Sequence, residues 1–552
     1  MTSHHIFIFC LAALPVITVT AQSAPAFQQQ ELTPGVIINT CPGHEIYAQG
    51  MALQPDGKIL VTGGIRKSKY GNAVPYLARF EANGLPDNSF GRNGLAIGNL
   101  NYPSAGLEIF VLPKGAIAVV GSVTSEGKRG ILLQRYLRNG TPDTLWGANG
   151  IQIKAIGACR DIPTAALLQP DGKFIVSGLS CPHDTLKSYC SSGYDWFIAR
   201  YLPDGRPDTG FGVNGVVMER AAATSPSVAD DAYSLALQPD GKIVAAVDKR
   251  REYLLRLHPD GTIDSTFGEQ GWVRSSVQFN PQRESRTLLS LSNGKLMHLG
   301  QFSHDVKQPS GTTYGYTKWQ LERLLANGEM DAGFGEKGEI RSPLRALQEA
   351  IYVLRSLKDS IFYIGGYKLL EKVSANGVRD TVFANNSALA AEELKEVYDL
   401  RIQANGSILA LSNETLTLGR FLPTGRPDTI FGLPIRKLER ERELARLREI
   451  QASGESEALE STQNSTSGFY GRRFLKLPNP PEVPEEVTGV IVLKICIDPT
   501  GKVLEATVLP HASTIHDKAI WDKVIANAVQ YKFSTASAQR ECGNITFRFK
   551  NQ

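Results

Sequence analysis

Apolar and polar residues alternate along most of this chain in short runs punctuated by Gly, Pro, Asn and Asp. A period of two places successive side chains on opposite faces of a strand, so the pattern predicts short β-strands joined by tight turns. The first clear instance starts at Ala52-Leu53, passes through Gln54-Pro55-Asp56-Gly57-Lys58 and continues as Ile59-Leu60-Val61. Glycine at such a turn takes up the positive φ that a hairpin loop requires. A third strand, Leu77-Ala78-Arg79-Phe80, leads to a second turn at Asn83-Gly84 and then to Pro86-Asp87-Asn88-Ser89-Phe90-Gly91. The aromatic residue is expected to plug the space between neighbouring sheets before a further strand at Gly94-Leu95-Ala96-Ile97.

The same unit recurs. Its first turn falls at Gly57, Gly115, Gly172, Gly241, Gly294, Asp359 and Gly406, and its plug at Phe90, Trp146, Phe211, Phe267, Phe334, Phe383 and Phe431. Four short strands per repeat predict one propeller blade each, hence an all-β seven-bladed β-propeller over residues 35–434. The seventh unit stops at Phe431-Gly432-Leu433-Pro434 without an outer strand, and Gly35-Val36-Ile37-Ile38-Asn39 has the pattern of the missing one. It is expected to complete the last blade and hide two open edges. The insertions at 180–194, 221–229 and 302–316 are expected on the rims, either as binding loops or as tolerated surface.

The run Leu-Gln-Pro-Asp-Gly-Lys-Ile followed by Asn-Gly-x-Pro-Asp-x-x-Phe-Gly resembles the delta-60 repeat family of bacterial exported proteins. The resemblance implies a propeller-like fold and little about activity. It is closest in the first four units and weaker in the sixth and seventh.

Composition changes after the repeats. Arg436 to Ile450 is rich in helix formers, with Glu439/Arg442 and Glu443/Arg446 spaced to pair on a helix surface. Ser453 to Gly468 is small and polar, and Pro478, Pro480, Pro481 and Pro484 stiffen the approach to the last domain. The segment 435–481 therefore reads as a linker. Residues 482–552 form another unit: strands at 489–498 and 503–509, a helix over 515–531 and a last strand at 545–549, in the order ββαβ. The Asp498-Pro499-Thr500-Gly501-Lys502 turn, the helix with Ala519 and Ala528, Tyr531-Lys532-Phe533 and the final strand resemble the C-terminal domain of TonB-type energy transducers. The resemblance implies a small α+β domain whose sheet edge, Ile545, Thr546, Phe547, Arg548 and Phe549, accepts an extended peptide from an envelope or outer-membrane protein by strand addition.

At the other end, residues 1–21 read as a signal peptide, with an apolar core over 6–21 and small residues before Gln22. The rival reading is a retained anchor, although the core is short for a span of roughly 20 residues. Export permits disulfides among Cys41, Cys159, Cys181, Cys190, Cys496 and Cys542. Proximity in sequence makes Cys181–Cys190 and Cys496–Cys542 the first candidates. The Cys496–Cys542 pair gains support from lying on or beside two strands that could be neighbours.

The net charge of +4 on 552 residues, without a basic stripe, argues against a nucleic-acid partner. No nucleophile elbow, zincin, P-loop or EF-hand pattern is present, and the histidines are scattered. The repeated Asp87, Asp143, Asp208, Asp264, Asp331, Asp380 and Asp428 stand at a fixed step before the plug. That suits a carboxylate capping its own turn better than a carboxylate ring. No catalytic, metal or cofactor residues are assigned. The expectation is an exported, non-enzymatic scaffold of a Gram-negative envelope or periplasm, binding a protein or glycan on the propeller and a partner strand on the tail. The alternatives are a membrane-anchored TonB-type transducer and a propeller lyase or hydrolase.

Overall fold

The computed structural model describes residues 27–433 except 69–70, 99, 101, 126, 158–159, 182–193, 219–230, 249–251, 278–286, 308–312, 343–350, 384, 386–393 and 414; it also describes 465–467, 474–476, 489–510, 513–533 and 541–549. The proposed signal peptide, the charged stretch 436–450, the prolines of the linker, Cys159 and Cys190 lie outside the described residues. The chain divides into two compact units, Met1–Pro434 and Ile435–Gln552.

The first unit is a β-propeller-like body of antiparallel sheets. Successive sheets begin with the strands Glu45–Leu53, Ser104–Val111, Arg160–Leu168, Asp231–Leu237, Leu288–Ser290, Ile351–Leu357 and Asp399–Ile402. Each of these first strands lies against the next, and Asp399–Ile402 lies back against Glu45–Leu53. The strand Val36–Thr40 pairs antiparallel with Leu416–Phe421, setting Val36 opposite Gly419. The last sheet is thus completed from the chain's beginning, as its pattern suggests. A strand with no counterpart in the repeat, Gln28–Thr33, adds outside Val36–Thr40. Among the described residues the sixth sheet has three strands.

The first turns show why Pro-Asp-Gly recurs. In the first, Gly57 N–H donates to the Gln54 carbonyl and Gln54 N–H to the Lys58 carbonyl, both at 2.9 Å, with Gly57 at φ 84°. A type I turn followed by a left-handed residue closes this way, and glycine occupies the left-handed position at no steric cost. The sixth unit lacks the glycine and instead holds Lys358 and Asp359 at φ 49° and 57°.

Neighbouring sheets are joined by a latch that sequence reading overlooked. Arg79 Nε donates to Asp87 Oδ2 at 2.7 Å, and its Nη1 donates at 2.6 Å to the carbonyl of Arg138 in the following unit. The guanidinium lies 4.4 Å from the centre of the Phe90 ring. Phe90 in turn packs on Gly140 of that next unit, where an added Cβ would come within 2.7 Å of the ring. Arg200, Arg256 and Arg323 repeat the set with Asp208, Asp264 and Asp331 and with the carbonyls of Pro259, Ala326 and Ala375. The seventh copy runs back to the first: Arg420 holds Asp428 at 2.8 Å and donates to the Ala82 carbonyl at 2.7 Å. Gly432 N–H likewise donates to the Asn83 carbonyl at 2.7 Å.

The second repeat explains its tryptophan. Arg135 forms an ion pair with Asp143 at 3.1 Å, and Trp146 Nε1 donates at 3.1 Å to the carbonyl of Pro203. That carbonyl occupies the place in the next unit that the arginine reaches elsewhere. An indole N–H does there what a guanidinium N–H does in the other units.

The C-terminal unit has the order anticipated for it, with additions. The strands Gly489–Ile497 and Val503–Val508, the helix Lys518–Ala528 and the strand Glu541–Phe549 are joined by short strands at Ser465–Ser467, Phe474–Lys476 and Lys532–Phe533. Ile491, Leu493, Ile495 and Ile497 alternate into a core completed by Ile520, Val524 and Ala528 of the helix. Asp517 caps that helix by accepting from the Ala519 and Ile520 amides.

Candidate functional site

The aspartates that look like a ring of acids belong to the latch. Asp87 Oδ1 accepts from the Ser89 amide and hydroxyl, capping its own turn, while Oδ2 accepts from Arg79 and Lys58. Burial pushes this carboxyl up, but those donors outweigh it and hold Asp87 well below the usual carboxylate range. Asp264 sits in the same balance between burial and the Thr266, Lys242 and Arg256 donors, and is also held low. Carboxylates this fully engaged have no lone pairs left for a ligand or a reacting proton.

A second polar cluster lies between the fourth and fifth sheets. Glu252 accepts from the Tyr233 hydroxyl, which stands 3.3 Å from His298 Nε2, and His298 Nδ1 is 3.1 Å from Glu322 Oε1. Ser275 and Ser276 donate to Glu322. Burial raises the Glu322 carboxyl, yet His298 and the two serines bring it below its ordinary value. Each of these groups is satisfied by a neighbour, and His298 and Glu322 are closed to solvent. The cluster ties two sheets together. Among the described residues no three His, Cys, Asp or Glu side chains are arranged to hold a metal.

The other candidate is the edge of the C-terminal sheet, whose strand order is Ser465–Ser467, Glu541–Phe549, Gly489–Ile497, Val503–Val508. Glu541–Phe549 pairs along its whole length with Gly489–Ile497, from Glu541 opposite Ile497 to Phe549 opposite Gly489. Cys496 and Cys542 face each other in that register and form a disulfide, with Cα atoms 4.0 Å apart. The far end of Gly489–Ile497 is held on its other side as well. Leu509 N–H donates to the Val492 carbonyl and Thr514 N–H to the Val490 carbonyl, at 2.8 and 2.7 Å. Among the described residues the sheet therefore has two outer sides, that of Val503–Val508, which no strand covers, and that of Glu541–Phe549, which a short strand covers in part.

The five residues anticipated as a receiving edge divide there. Ile545 and Thr546 already have a strand beyond them, since Thr466 stands opposite Ile545 and Ser465 opposite Thr546. Phe547, Arg548 and Phe549 have no strand on that side among the described residues. Ile545 and Phe547 bury their side chains in the core, so the edge rests on a fixed base. Of the other cysteines, Cys181 is disulfide-bonded to a residue outside the described set. Cys41 is a buried free thiol that burial pushes up to about 11, which makes it inert.

The latch arginines were legible in sequence. A basic residue stands eight positions before every repeated aspartate, at Arg79, Arg135, Arg200, Arg256, Arg323, Lys372 and Arg420. Reading the aspartates by themselves hid that spacing. Three stretches of the chain match one β-propeller family. The family is described as a domain of unknown function (DUF5122) beta-propeller, and the matches cover residues 54–90, 169–211 and 238–267. Each match runs from the first-turn glutamine to the aromatic plug, so what matches is the latch-bearing segment.

No curated protein matches the chain. Among solved structures it is similar to a protein of unknown function from Bacteroides caccae, at 12% identity over 57% of this chain and 93% of that one, with a TM-score of 0.28. It is similar to the polysaccharide lyase Uly1 at 10% identity over 68% and 89%, with a TM-score of 0.37. The extracellular domain of a putative hybrid two-component system from B. thetaiotaomicron is similar at 10% identity over 86% and 53%, with a TM-score of 0.32. Likeness this distant says nothing about what the present chain binds. No helix among the described residues is long and apolar enough to cross a membrane.

Proposed function

We propose that the chain is an exported, non-enzymatic binding scaffold of the bacterial cell envelope. Its body is a seven-bladed propeller serving as a platform for a protein or glycan, and its C-terminal unit is a TonB-like module that receives an extended partner strand. The seven-bladed reading is supported by the closed run of first strands and by the Arg420 latch reaching the first unit. The scaffold reading rests on two observations: the repeated aspartates Asp87, Asp208, Asp264, Asp331 and Asp428 are each engaged by an arginine, and a disulfide suits an oxidising compartment.

One observation carries the strand-receiving role. The Glu541–Phe549 strand is paired over all nine residues on one side and over three on the other. Unpaired N–H and C=O groups on a sheet edge are a template for another strand. A photo-crosslinking residue placed at Arg548 in the full chain, incubated with envelope extract, tests it. The expected product is a discrete adduct with an envelope protein, absent when the crosslinker sits at Glu505 on the opposite edge strand. An equal pattern of adducts from both positions removes the proposal.

A further inference from the structure

The strand on the outer side of Glu541–Phe549 comes from this same chain. Residues Ser465–Ser467 pair antiparallel with it, setting Ser465, Thr466 and Ser467 opposite Thr546, Ile545 and Asn544. They lie in the stretch that composition marks as a linker, more than seventy positions before the strand they join, so the contact is not a local hairpin. It occupies the middle of the edge, with the open residues Phe547 to Phe549 to one side and Glu541 to Gly543 to the other. A strand added there pairs by backbone groups, which any extended sequence supplies.

We propose that Ser465–Ser467 is a built-in occupant of the receiving edge, which a partner strand must displace; this rests on the strand-receiving role proposed above. The occupant is weak by construction. It is three residues long, below the usual length of a stable strand. Two of the three are serines, and a Ser-Thr-Ser segment brings no large apolar side chain to the sheet. A guest spanning the nine residues of Glu541–Phe549 makes more ladder bonds and replaces it. A guest of only three or four residues does not. The edge therefore selects for length, and in the absence of a guest its middle is covered.

The inference predicts that the edge is only partly free in the unmodified protein, so the apparent affinity for any guest is reduced by the fraction of time it is open. The test uses the full chain, its Thr466→Pro variant and its Ser467→Pro variant. Alternate residues of a strand point their N–H toward the partner, so one of the two prolines removes a ladder donor. The probe is a labelled synthetic peptide of residues 461–469, followed by fluorescence anisotropy, with hydrogen exchange at amides 544–546 measured in parallel. The expected result is binding at least about tenfold tighter to a proline variant than to the unmodified chain, with faster exchange at 544–546 in the variant when no peptide is present. Equal peptide affinity and equal exchange in all three chains overturn the inference. Exchange that speeds up in a variant while no chain binds peptide leaves the built-in occupant standing and removes the strand-receiving role.

Discussion

The two units of the chain use the same turn and treat their sheet edges in opposite ways. Gln54-Pro55-Asp56-Gly57-Lys58 and Asp498-Pro499-Thr500-Gly501-Lys502 close alike: the glycine N–H returns to the carbonyl three residues before it, and the first residue bonds the fifth. Gly501 is further constrained, because an added Cβ would lie 1.9 Å from the Phe533 carbonyl oxygen. From that common element the body closes a ring, borrowing Val36–Thr40 to complete its last sheet and repeating the arginine latch across the junction. The C-terminal unit staples its two central strands with a disulfide and, among the described residues, covers the outer side of Glu541–Phe549 with only three residues and that of Val503–Val508 with none. A lightly covered edge is suited to exchange.

The comparison can be broken most directly at the latch. Asp264 is fully buried and Arg256 nearly so. Asp264→Ala leaves that arginine uncompensated and is expected to lower the stability of the body by about 3–5 kcal/mol. The equivalent Asp143→Ala, where Arg135 is a third exposed, is expected to cost only about 1 kcal/mol. Urea unfolding followed by tryptophan fluorescence checks both, and equal losses would show that the latch is not what joins the sheets.

Replacing Cys496 and Cys542 together by alanine is expected to remove about 2–4 kcal/mol from the C-terminal unit alone. In calorimetry this lowers one transition and leaves that of the body in place. Acid should act in the reverse sense. Asp87, Asp208, Asp264 and Asp331 are all held below their ordinary values by partners that outweigh burial. A carboxyl depressed in the folded state contributes stability above its unfolded value near 3.9 and loses it as pH falls through the folded value. The body is therefore expected to lose stability steeply below about pH 4, by up to about 1.4 kcal/mol per pH unit for each such group. In the C-terminal unit, Asp498 is depressed mainly by the Thr500 hydroxyl and is part-exposed in its turn. A pH series of melting curves in which both transitions fall in parallel would contradict this. The smallest effect is local: Lys358→Gly relieves a left-handed non-glycine residue and should stabilise the sixth unit by about 0.5–1 kcal/mol, read as a shift in urea midpoint.

Much of the body was legible in the chain. The recurring turn, the plug and the orphan strand at 35–39 each rest on residues within a few positions of one another. The plugs are buried as expected, with Phe90, Phe211, Phe267, Phe334 and Phe431 closed to solvent. The basic residue eight positions before each aspartate was equally visible and went unread, because an aspartate that caps its own turn needs no second partner to make sense. The strand Gln28–Thr33 was not legible, since its run Gln-Gln-Gln-Glu-Leu-Thr has no alternation. Neither was the occupant at Ser465–Ser467, whose polar residues pair through the backbone and leave no mark in the pattern.

Short-range physics wrote the turns, the alternation and the plug into the sequence, because a positive φ or a buried face is decided by a residue and its nearest neighbours. Which carbonyl Arg420 reaches, which strand completes the last sheet and what lies against Ile545 depend on backbone groups up to hundreds of residues away. Backbone donors and acceptors are the same at every position, so only the assembled fold could choose among them.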